Sequence, residues 1–300
     1  MNKVTVIVPS YNHSKYICNA VESILNQTHK NVEILVIDDA SSDDTIEKLA
    51  IFKDKIKIII NKTNIGLQQS ILKASTFITG EFVAILSSDD EYQSSKLEKQ
   101  LELINDGGYD VVYSGLYFID GHGNENLKYS FSEDLNSNPN FEEILKSDET
   151  GLLLQSALFK ASTFIQTESL RIKFLSDDWA ILCWLIVNSK VGFINLPLLG
   201  YRRHDSNSHQ SFMKQVPSRL QVINEFTPKE FYREAIQNII YSILIYRWES
   251  NKKLSFSLLI FYATIQLSLK STYRSLKVIA FHIIGKNVVK KIINIKQNEN

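Results

Sequence analysis

The sequence predicts an α/β protein with a mostly parallel β-sheet, helices on both of its faces, and a C-terminal helical region. Short runs rich in valine and isoleucine alternate with helical patterns in the order βαβαβαβ up to Leu86. Parallel strands require crossover connections, which intervening helices supply. Hydrophobic residues make up 44% and charged residues 22% of the 300-residue chain. This composition is sufficient for a buried core and excludes disorder as the main state.

The first third of the chain contains four predicted strands. Each is a short apolar run, and the ranges are Lys3–Val8, Val32–Ile37, Ile56–Ile60 and Phe82–Leu86. Apolar residues recur at helical spacing between them, in 16–25, 45–52 and 67–77. The N-terminus carries one lysine and no small-residue cleavage site, so we interpret it as the first strand rather than a signal peptide. Cys18 and Cys183 lie in apolar stretches, which favours a reducing, cytoplasmic compartment.

The second half of the chain is less regular. Strands are predicted at Asp110–Ser114, Leu116–Ile119, Val191–Asn195 and Leu198–Tyr201, a helix at Trp179–Val187, and a polar loop with a short helix near Phe141 over Lys128–Asp148. From Pro217 onward the pattern is helical, with helices expected in 231–248, 254–269 and 278–295. We therefore expect two domains, residues 1–212 with the sheet and residues 213–300 with the helices.

Mainly polar segments follow three of the predicted strands. They are Pro9 to Asn12, Asp38 to Asp43, and Ser87 to Glu91. In parallel sheets, ligands bind at the carboxyl ends of the strands. We interpret Asp43 as a helix cap. The adjacent carboxylates Asp89 and Asp90 repel each other unless a cation or hydrogen-bond donors neutralise them, so they fit either a divalent metal site or a cap.

Several of these motifs resemble the family 2 glycosyltransferases, whose catalytic domain has the Rossmann-like GT-A fold. The matching stretches keep the family's order and spacing; they are Val4–Asn12, Ala20–Thr28, Val36–Thr45, Asn64–Leu67, Ser87–Asp90, Ser176–Trp179 and Tyr201–His204. The resemblance covers roughly the first two-thirds of the chain. It implies a GT-A catalytic domain over residues 1–212.

The resemblance also implies a set of site residues. The positions that hold the nucleotide match Pro9, Tyr11, Asp39, Gly66 and Asp89. The metal-binding acidic motif matches Asp89 and Asp90, with Asp90 as the expected ligand of the ion that bridges the two phosphates. His204 matches a histidine near the diphosphate and the metal, in a polar loop, 202–209, that could meet a diphosphate. Asp178 matches the carboxylate that acts as general base.

The implied activity is inverting transfer of a sugar from a nucleotide sugar, most often UDP-linked, to a hydroxyl of a glycan or lipid-linked glycan in cell-surface polysaccharide synthesis. Mn²⁺ or Mg²⁺ is the implied cofactor. The chain departs from the family pattern at Ser87, where an aspartate is common, and at Ser70 to Leu72, where Ala-Arg-Asn is common and Lys73 could substitute for the lost cation. These departures keep open an alternative, a catalytically impaired binding or scaffolding subunit. A phosphate-signalling or nucleotidyl-transfer domain fits less well, because no glycine-rich phosphate loop with lysine is present.

The net charge of zero conceals a strong asymmetry. Residues 252–300 contain nine basic residues and one acidic residue, so the remainder of the chain is acidic. We expect the segment 252–296 to contact an anionic membrane from the cytoplasmic side, which would make the protein peripheral on the inner face of the cell membrane. Alternatively, these helices pack on the catalytic domain or on a second subunit of a homo-oligomer. Nucleic acid is not expected as a partner, because no aromatic platform accompanies the lysines.

Overall fold

The computed structural model describes residues 2–129, 152–174, 177–204 and 220–227, together with residues 229 and 235. The chain divides into two units, of which the first comprises residues 1–210 and 224–226 and the second residues 211–223 and 227–300. The predicted boundary between residues 212 and 213, the short helix near Phe141 and the predicted helices 231–248, 254–269 and 278–295 all lie outside the fully described ranges. All strands and named helices below belong to the first unit.

Nine strands form one sheet within the described residues. They are β1 (Val4–Ser10), β2 (Val32–Asp38), β3 (Lys57–Ile60), β4 (Phe82–Ile85), β5 (Glu91–Tyr92), β6 (Val111–Ile119), β7 (Glu125–Tyr129), β8 (Leu158–Lys160) and β9 (Val191–Arg202). The order is β3-β2-β1-β4-β8-β6-β9-β5, with β7 paired to β6. Strands β3, β2, β1 and β4 are parallel, which confirms the predicted parallel sheet.

The second half of the sheet is mixed. Strand β8 is antiparallel to both β4 and β6, β9 runs parallel to β6, and β5 and β7 are antiparallel to their neighbours. The strand β1 is buried along its whole length, as expected for a central strand covered on both faces. This places the carboxyl ends of β2, β1 and β4 side by side.

Seven helices and two short 3₁₀ turns connect the described strands. The helices are α1 (Ile17–Leu25), α2 (Thr45–Leu49), α3 (Leu67–Ser75), α4 (Lys96–Gly107), α5 (Ala161–Gln166), α6 (Glu168–Lys173) and α7 (Asp177–Asn188); the 3₁₀ turns are Ala50–Phe52 and Leu154–Ser156. Residues 220–226 are also helical. No helix among the described residues is both long and apolar enough to cross a bilayer.

The prediction of two strands in each of 110–119 and 191–201 is wrong, because β6 and β9 are each continuous. The pairing between them shifts around Gly115, where consecutive residues 114–116 pair with Ile194, Pro197 and Leu199. Such bulges interrupt the alternation of side chains without ending the strand. A Cβ at Gly115 would lie 2.9 Å from the carbonyl oxygen of Leu196, so the close approach at the bulge requires glycine.

Other elements also differ from the sequence prediction, which did not include β5, β8, α5 or α6. Helix α4 was not predicted, although Leu97, Leu101 and Ile104 recur at helical spacing and Gly108 ends it in a left-handed conformation. Strand β7 includes Lys128, which the sequence assigns to a loop; it forms because β6 continues to Ile119 and offers a free edge to a hairpin. The hairpin turn lies at the predicted position, Gly121 to Asn124.

Candidate active site

The loops that follow β1 and β2 are hydrogen-bonded to each other. The backbone N–H of Asn12 donates to Ser41 Oγ at 2.9 Å, and Asn12 Oδ1 accepts from the backbone N–H of Ser42 at 2.8 Å. Asn12 and Ala40 have φ angles of 53° and 62°, in the left-handed region. Non-glycine residues rarely adopt this conformation, and those that do are frequent at functional sites. The two loops therefore form one fixed surface at the carboxyl ends of β1 and β2.

Asp39 is held by three N–H donors at the end of β2. Its carboxylate accepts from the backbone N–H groups of Ile65 and Gly66, both at 2.8 Å, and from Asn61 Nδ2 at 2.9 Å. Gly66 has φ 88°, a conformation that glycine adopts without strain. Burial alone would raise the pKa of Asp39, but these hydrogen bonds hold it below its ordinary value. The carboxylate is therefore ionised over the neutral pH range.

Three other residues that the sequence assigns to the nucleotide or its surroundings lie near this carboxylate or along the same strand ends. Lys73 donates from Nζ to Asn61 Oδ1 at 2.7 Å. Because Asn61 also donates to Asp39, it links Lys73 to that carboxylate. Pro9 is buried in β1, whereas Tyr11 is 46% exposed just beyond the end of that strand. An exposed aromatic ring at the end of the strand that pairs with β2 is suited to stacking on a planar ligand.

Asp89, His204 and His13 form a compact cluster beyond the end of β4. Asp89 Oδ2 lies 2.9 Å from His204 Nε2, and His13 Nδ1 lies 2.7 Å from Ser88 Oγ. The Tyr16 ring stacks on His204 with ring centroids 5.2 Å apart. Burial lowers the pKa of His13, although the nearby Asp89 carboxylate acts in the opposite direction. A neutral imidazole is the form that binds metal ions.

The neighbouring acid, Asp90, is turned into the protein. It is 1% exposed, and its Oδ1 accepts the backbone N–H of Arg202 at 2.9 Å. Among the described residues its Oδ2 has no hydrogen-bond partner. Burial, followed by the charge of Asp89, raises the pKa of Asp90 well above its ordinary value. Of the three predicted metal ligands, Asp89 and His204 thus lie together, while Asp90 faces Arg202; its predicted role stays a prediction.

The Arg202 side chain is buried. The sequence instead predicts it in a polar loop, 202–209, that could meet a diphosphate. It donates from Nε to the carbonyl oxygen of Asp89 at 2.6 Å and from Nη1 to that of Asp120 at 2.8 Å, and it pairs with the Glu91 carboxylate. These contacts fasten the end of β9 to the segment after β4. His204 is positioned by this attachment, while residues 205–209 lie outside the described ranges.

Asp178 lies near the start of α7 and is half-buried. Burial raises the pKa of Tyr201, and the negative charges of Asp90, Asp89 and Asp178 raise it further. All three carboxylates are therefore within electrostatic reach of one phenol. The role of Asp178 as the general base stays a prediction.

Sequence reasoning missed three polar residues of the site, namely His13, Asn61 and Gln155. Gln155 Nε2 donates to Ser87 Oγ at 2.8 Å. Ser87 is the residue at whose position an aspartate is common in family 2 glycosyltransferases. Asn61 directly follows β3 and His13 comes shortly after the end of β1, and this placement was the available signal. Gln155 had no such signal, because it comes from the 3₁₀ turn before the short strand β8.

One group of the described residues could hold a metal ion. His13, Asp89 and His204 each offer one ligand atom, and these three atoms all lie within 4.8 Å of one another. That separation is about twice a metal–ligand bond length. Carboxylate oxygen and imidazole nitrogen together are ligands that a divalent transition metal accepts. The site can thus combine an ionised carboxylate at β2 with a cation at β4.

Comparison with known proteins identifies the family. The family model described as "Glycosyl transferase family 2" matches residues 5–165, slightly more than half of the chain. The chain belongs to this family. Its similarity to curated relatives is often confined to a part of them, since the alignments span 21% of one relative's length and 45% of another's.

The chain is 35% identical over 120 residues to the Escherichia coli UDP-Glc:alpha-D-GlcNAc-diphosphoundecaprenol beta-1,3-glucosyltransferase, an alignment that covers 40% of the chain and 47% of the relative. Two solved structures share the fold. S. aureus TarS 1-349 in complex with UDP-GlcNAc has a TM-score of 0.63 at 17% identity, covering 96% of this chain and 82% of that one. The Pyrobaculum calidifontis mannosyltransferase in complex with GDP-Man and Mn²⁺ has a TM-score of 0.58 at 15% identity, covering 95% and 88%. The fold of this family 2 member is therefore of the GT-A type.

Proposed function

We propose that this family 2 glycosyltransferase moves a sugar, with inversion, from a nucleoside-diphosphate sugar to a hydroxyl of a glycan or lipid-linked glycan. The observation that carries the proposal is the placement of Asp39 and of the Asp89–His204 pair at the ends of β2 and β4, the two strands that flank β1. One strand end thus presents an ionised hydrogen-bond acceptor and the other a set of metal ligands. A nucleoside diphosphate offers an N–H on its base and charge on its phosphates, which match these two groups.

The nucleotide is assigned to the end of β2. Asp39 accepts an N–H of the base, Tyr11 stacks on the ring, and Gly66 and Pro9 shape the backbone around it. The donors that keep Asp39 ionised support this role. A UDP-linked donor is supported by the E. coli relative, whose name specifies UDP-Glc, and by the TarS complex with UDP-GlcNAc.

The divalent ion is assigned to Asp89 and His204, whose oxygen and nitrogen ligands fit Mn²⁺. When bound, the ion offsets the charge that develops on the departing diphosphate. The Mn²⁺ complex of the Pyrobaculum mannosyltransferase supports this choice. The sequence predicts Asp90 as the principal ligand of this ion, but its burial and its bond from Arg202 favour a different role, that of holding the end of β9 against Asp89.

Asp178 is assigned as the general base. Inverting displacement requires one carboxylate to accept the proton of the attacking hydroxyl, on the side of the sugar opposite the diphosphate. The resemblance of Ser176–Trp179 to the family motif supports this role for Asp178. Its half-buried side chain at the start of α7 is consistent with access by an acceptor.

Acceptor and membrane contact are proposed together. The E. coli relative is named for a diphosphoundecaprenol acceptor, which is a membrane lipid, and the segment 252–296 of this chain is strongly basic. A basic segment is attracted to anionic lipid. We expect the full chain to sediment with phosphatidylglycerol vesicles and not with phosphatidylcholine vesicles. Sedimentation with neither would favour helices that pack on protein, and equal sedimentation with both would contradict a contact that depends on the basic charge.

A donor screen tests the enzymatic proposal. The full chain is incubated with radiolabelled UDP-glucose, UDP-GlcNAc or GDP-mannose, with Mn²⁺ or with EDTA, and release of the nucleoside diphosphate is measured. We expect release from a UDP-sugar that depends on Mn²⁺. Nucleotide binding without release from any donor would favour the scaffolding alternative, and full release in EDTA would contradict the metal assignment.

A further inference from the structure

His13 lies in the metal-ligand cluster without a role in the proposal above. Its backbone carbonyl oxygen accepts the N–H groups of Tyr16 and Ile17 at 2.9 and 3.0 Å, so its main chain is fixed as the entry to α1. Its ring is fixed separately, because Nδ1 contacts Ser88 Oγ at 2.7 Å. Because both its backbone and its ring are hydrogen-bonded, His13 has little freedom to leave the cluster.

The contact with Ser88 is of the kind that orients a metal-binding imidazole. Metal-ligating histidines usually use one ring nitrogen for the ion and engage the other with an oxygen atom, which fixes the ring. Ser88 immediately precedes Asp89, so one segment orients His13 and also supplies the carboxylate of the cluster. The ring of His13 lies edge-on to that of His204, with centroids 6.1 Å apart. Two imidazoles thus face the same small volume beside Asp89.

The donor set differs from an all-oxygen site. Serine occupies both positions before Asp89, so Asp89 contributes the carboxylate of the cluster and the other two ligand atoms are imidazole nitrogens. Mg²⁺ is bound through oxygen ligands almost exclusively. Transition ions accept imidazole readily. The composition of the cluster therefore disfavours Mg²⁺.

We propose that His13 is a third protein ligand of the divalent ion, completing a His–Asp–His set that selects Mn²⁺ over Mg²⁺. This inference rests on the proposed function, since it concerns the same metal. It adds a ligand from the loop after β1 to those from the loops after β4 and β9. Ser87 and Ser88 supply no carboxylate ligand, and His13 then compensates for this. His13 lies 75 positions before Ser88, which it contacts.

Direct measurement of metal binding tests this inference. Mn²⁺ is titrated into the full chain, with UDP present, and free Mn²⁺ is followed by electron paramagnetic resonance; Mg²⁺ affinity is obtained by competition. The test variant is His13→Asn, whose amide can still bond Ser88. The matched control is His29→Asn, because His29 is also shielded from solvent and hydrogen-bonded through its ring, but its partner is the carbonyl oxygen of Asn2, away from the cluster. Thermal unfolding verifies that both variants are folded.

We expect His13→Asn to weaken Mn²⁺ binding by about tenfold or more and Mg²⁺ binding by far less, while His29→Asn changes neither. An Mn²⁺ affinity within about twofold of the wild type in His13→Asn would overturn the inference. If in that case Asp89→Asn still abolished Mn²⁺ binding, the metal assignment of the proposed function would stand, and only the role of His13 would be lost. A wild-type chain that bound no Mn²⁺ would refute both the metal assignment and this inference.

A spectroscopic measurement on the wild type avoids any dependence on folding of the variant. Electron spin-echo modulation of bound Mn²⁺ detects directly coordinated imidazole nitrogen, and labelling histidine with ¹⁵N identifies the source. We expect couplings from two histidines, His13 and His204. A coupling from one histidine alone would overturn the inference, whatever the variants show.

Discussion

Two aspartate pairs follow strands on either side of β1, and their surroundings differ sharply. At the β2 end, Asp38 accepts from the N–H and hydroxyl of Ser41 and Asp39 accepts from three N–H donors. At the β4 end, Asp89 faces a histidine and Asp90 is buried with one oxygen unpartnered among the described residues. The pKa of Asp39 is lowered and that of Asp90 is raised. The burial and the hydrogen-bond donors around an aspartate pair, rather than the pair itself, thus decide the direction in which the pKa values shift.

Removing one charge at the β4 end should have the largest effect. If Asp89 holds the ion, Asp89→Asn should lower kcat about a thousandfold, since the charge on the departing diphosphate is no longer offset. Turnover at saturating Mn²⁺ and donor is the measurement. Asp106→Asn, an exposed aspartate in α4, is the control and should behave like the wild type. Turnover of Asp89→Asn within about tenfold of the wild type would remove the contrast between the two strand ends.

The proposed base should affect turnover without affecting donor binding. Asp178→Asn keeps the size of the side chain and should reduce kcat by about a hundredfold or more, the usual value of general-base catalysis, with an unchanged donor Kd. An aspartate that only caps α7 would be replaced by asparagine without loss, since both residues cap well. Retention of more than about a tenth of wild-type turnover would therefore disprove the base assignment.

At the β2 end the effect should appear in affinity instead. Tyr11→Ala should weaken nucleotide binding by about 1–3 kcal/mol through the loss of stacking, while kcat at saturating donor stays close to the wild type. Isothermal titration with UDP measures the affinity, and Tyr11→Phe serves as the control because it keeps the ring. Unchanged UDP affinity with a lowered melting temperature would indicate that Tyr11 only packs at the entry to α1.

The smallest expected effect concerns stability and pH, again at the β2 end. Burial acts to raise the pKa of Asp43, but hydrogen bonds from Thr45 and Ser14 outweigh it and lower the pKa to about 2. A lowered pKa stabilises the folded state above the unfolded value, and this stabilisation is lost as the pH falls from about 4 to about 2.

Asp43→Asn should therefore be less stable than the wild type at pH 7 by no more than about 1 kcal/mol, because the group is largely screened by solvent. Urea unfolding at several pH values should show the difference shrinking toward zero near pH 2. A difference that stays constant from pH 7 to pH 2 would mean that the charge of Asp43 contributes nothing to stability.

The parallel half of the sheet was accessible from the sequence because its strands are continuous apolar runs. Each of β1, β2 and β4 is followed within a few positions by polar residues that the structure brings together, so strand ends located Asp39 and Asp89. The mixed half was less accessible. The bulge at Gly115 breaks the alternation that identifies a strand, and β8, at three residues, is too short to produce a pattern.

Within the site, the sequence predicts which residues are present, but not the direction in which each side chain points. The sequence places Asp89 and Asp90 equally at the end of β4, yet one faces His204 and the other Arg202. Arg202 itself is buried, although an arginine in a polar loop is usually solvated. These directions depend on β9, whose position beside β6 follows from long-range pairing that local patterns do not encode.

The two strand ends also differ in how far apart along the chain their partners lie. Asp39 is bonded by residues 22 to 27 positions away, whereas Asp89 and Asp90 are bonded by Arg202 and His204 at separations of 112 to 115. Contacts between distant residues form late, because a long loop must close first. During synthesis, then, the pocket around Asp39 can assemble once Gly66 has left the ribosome, while the acid pair after β4 waits for β9. Until that moment a nascent chain would have the proposed surface for the base of a nucleotide but not the proposed centre for its phosphates.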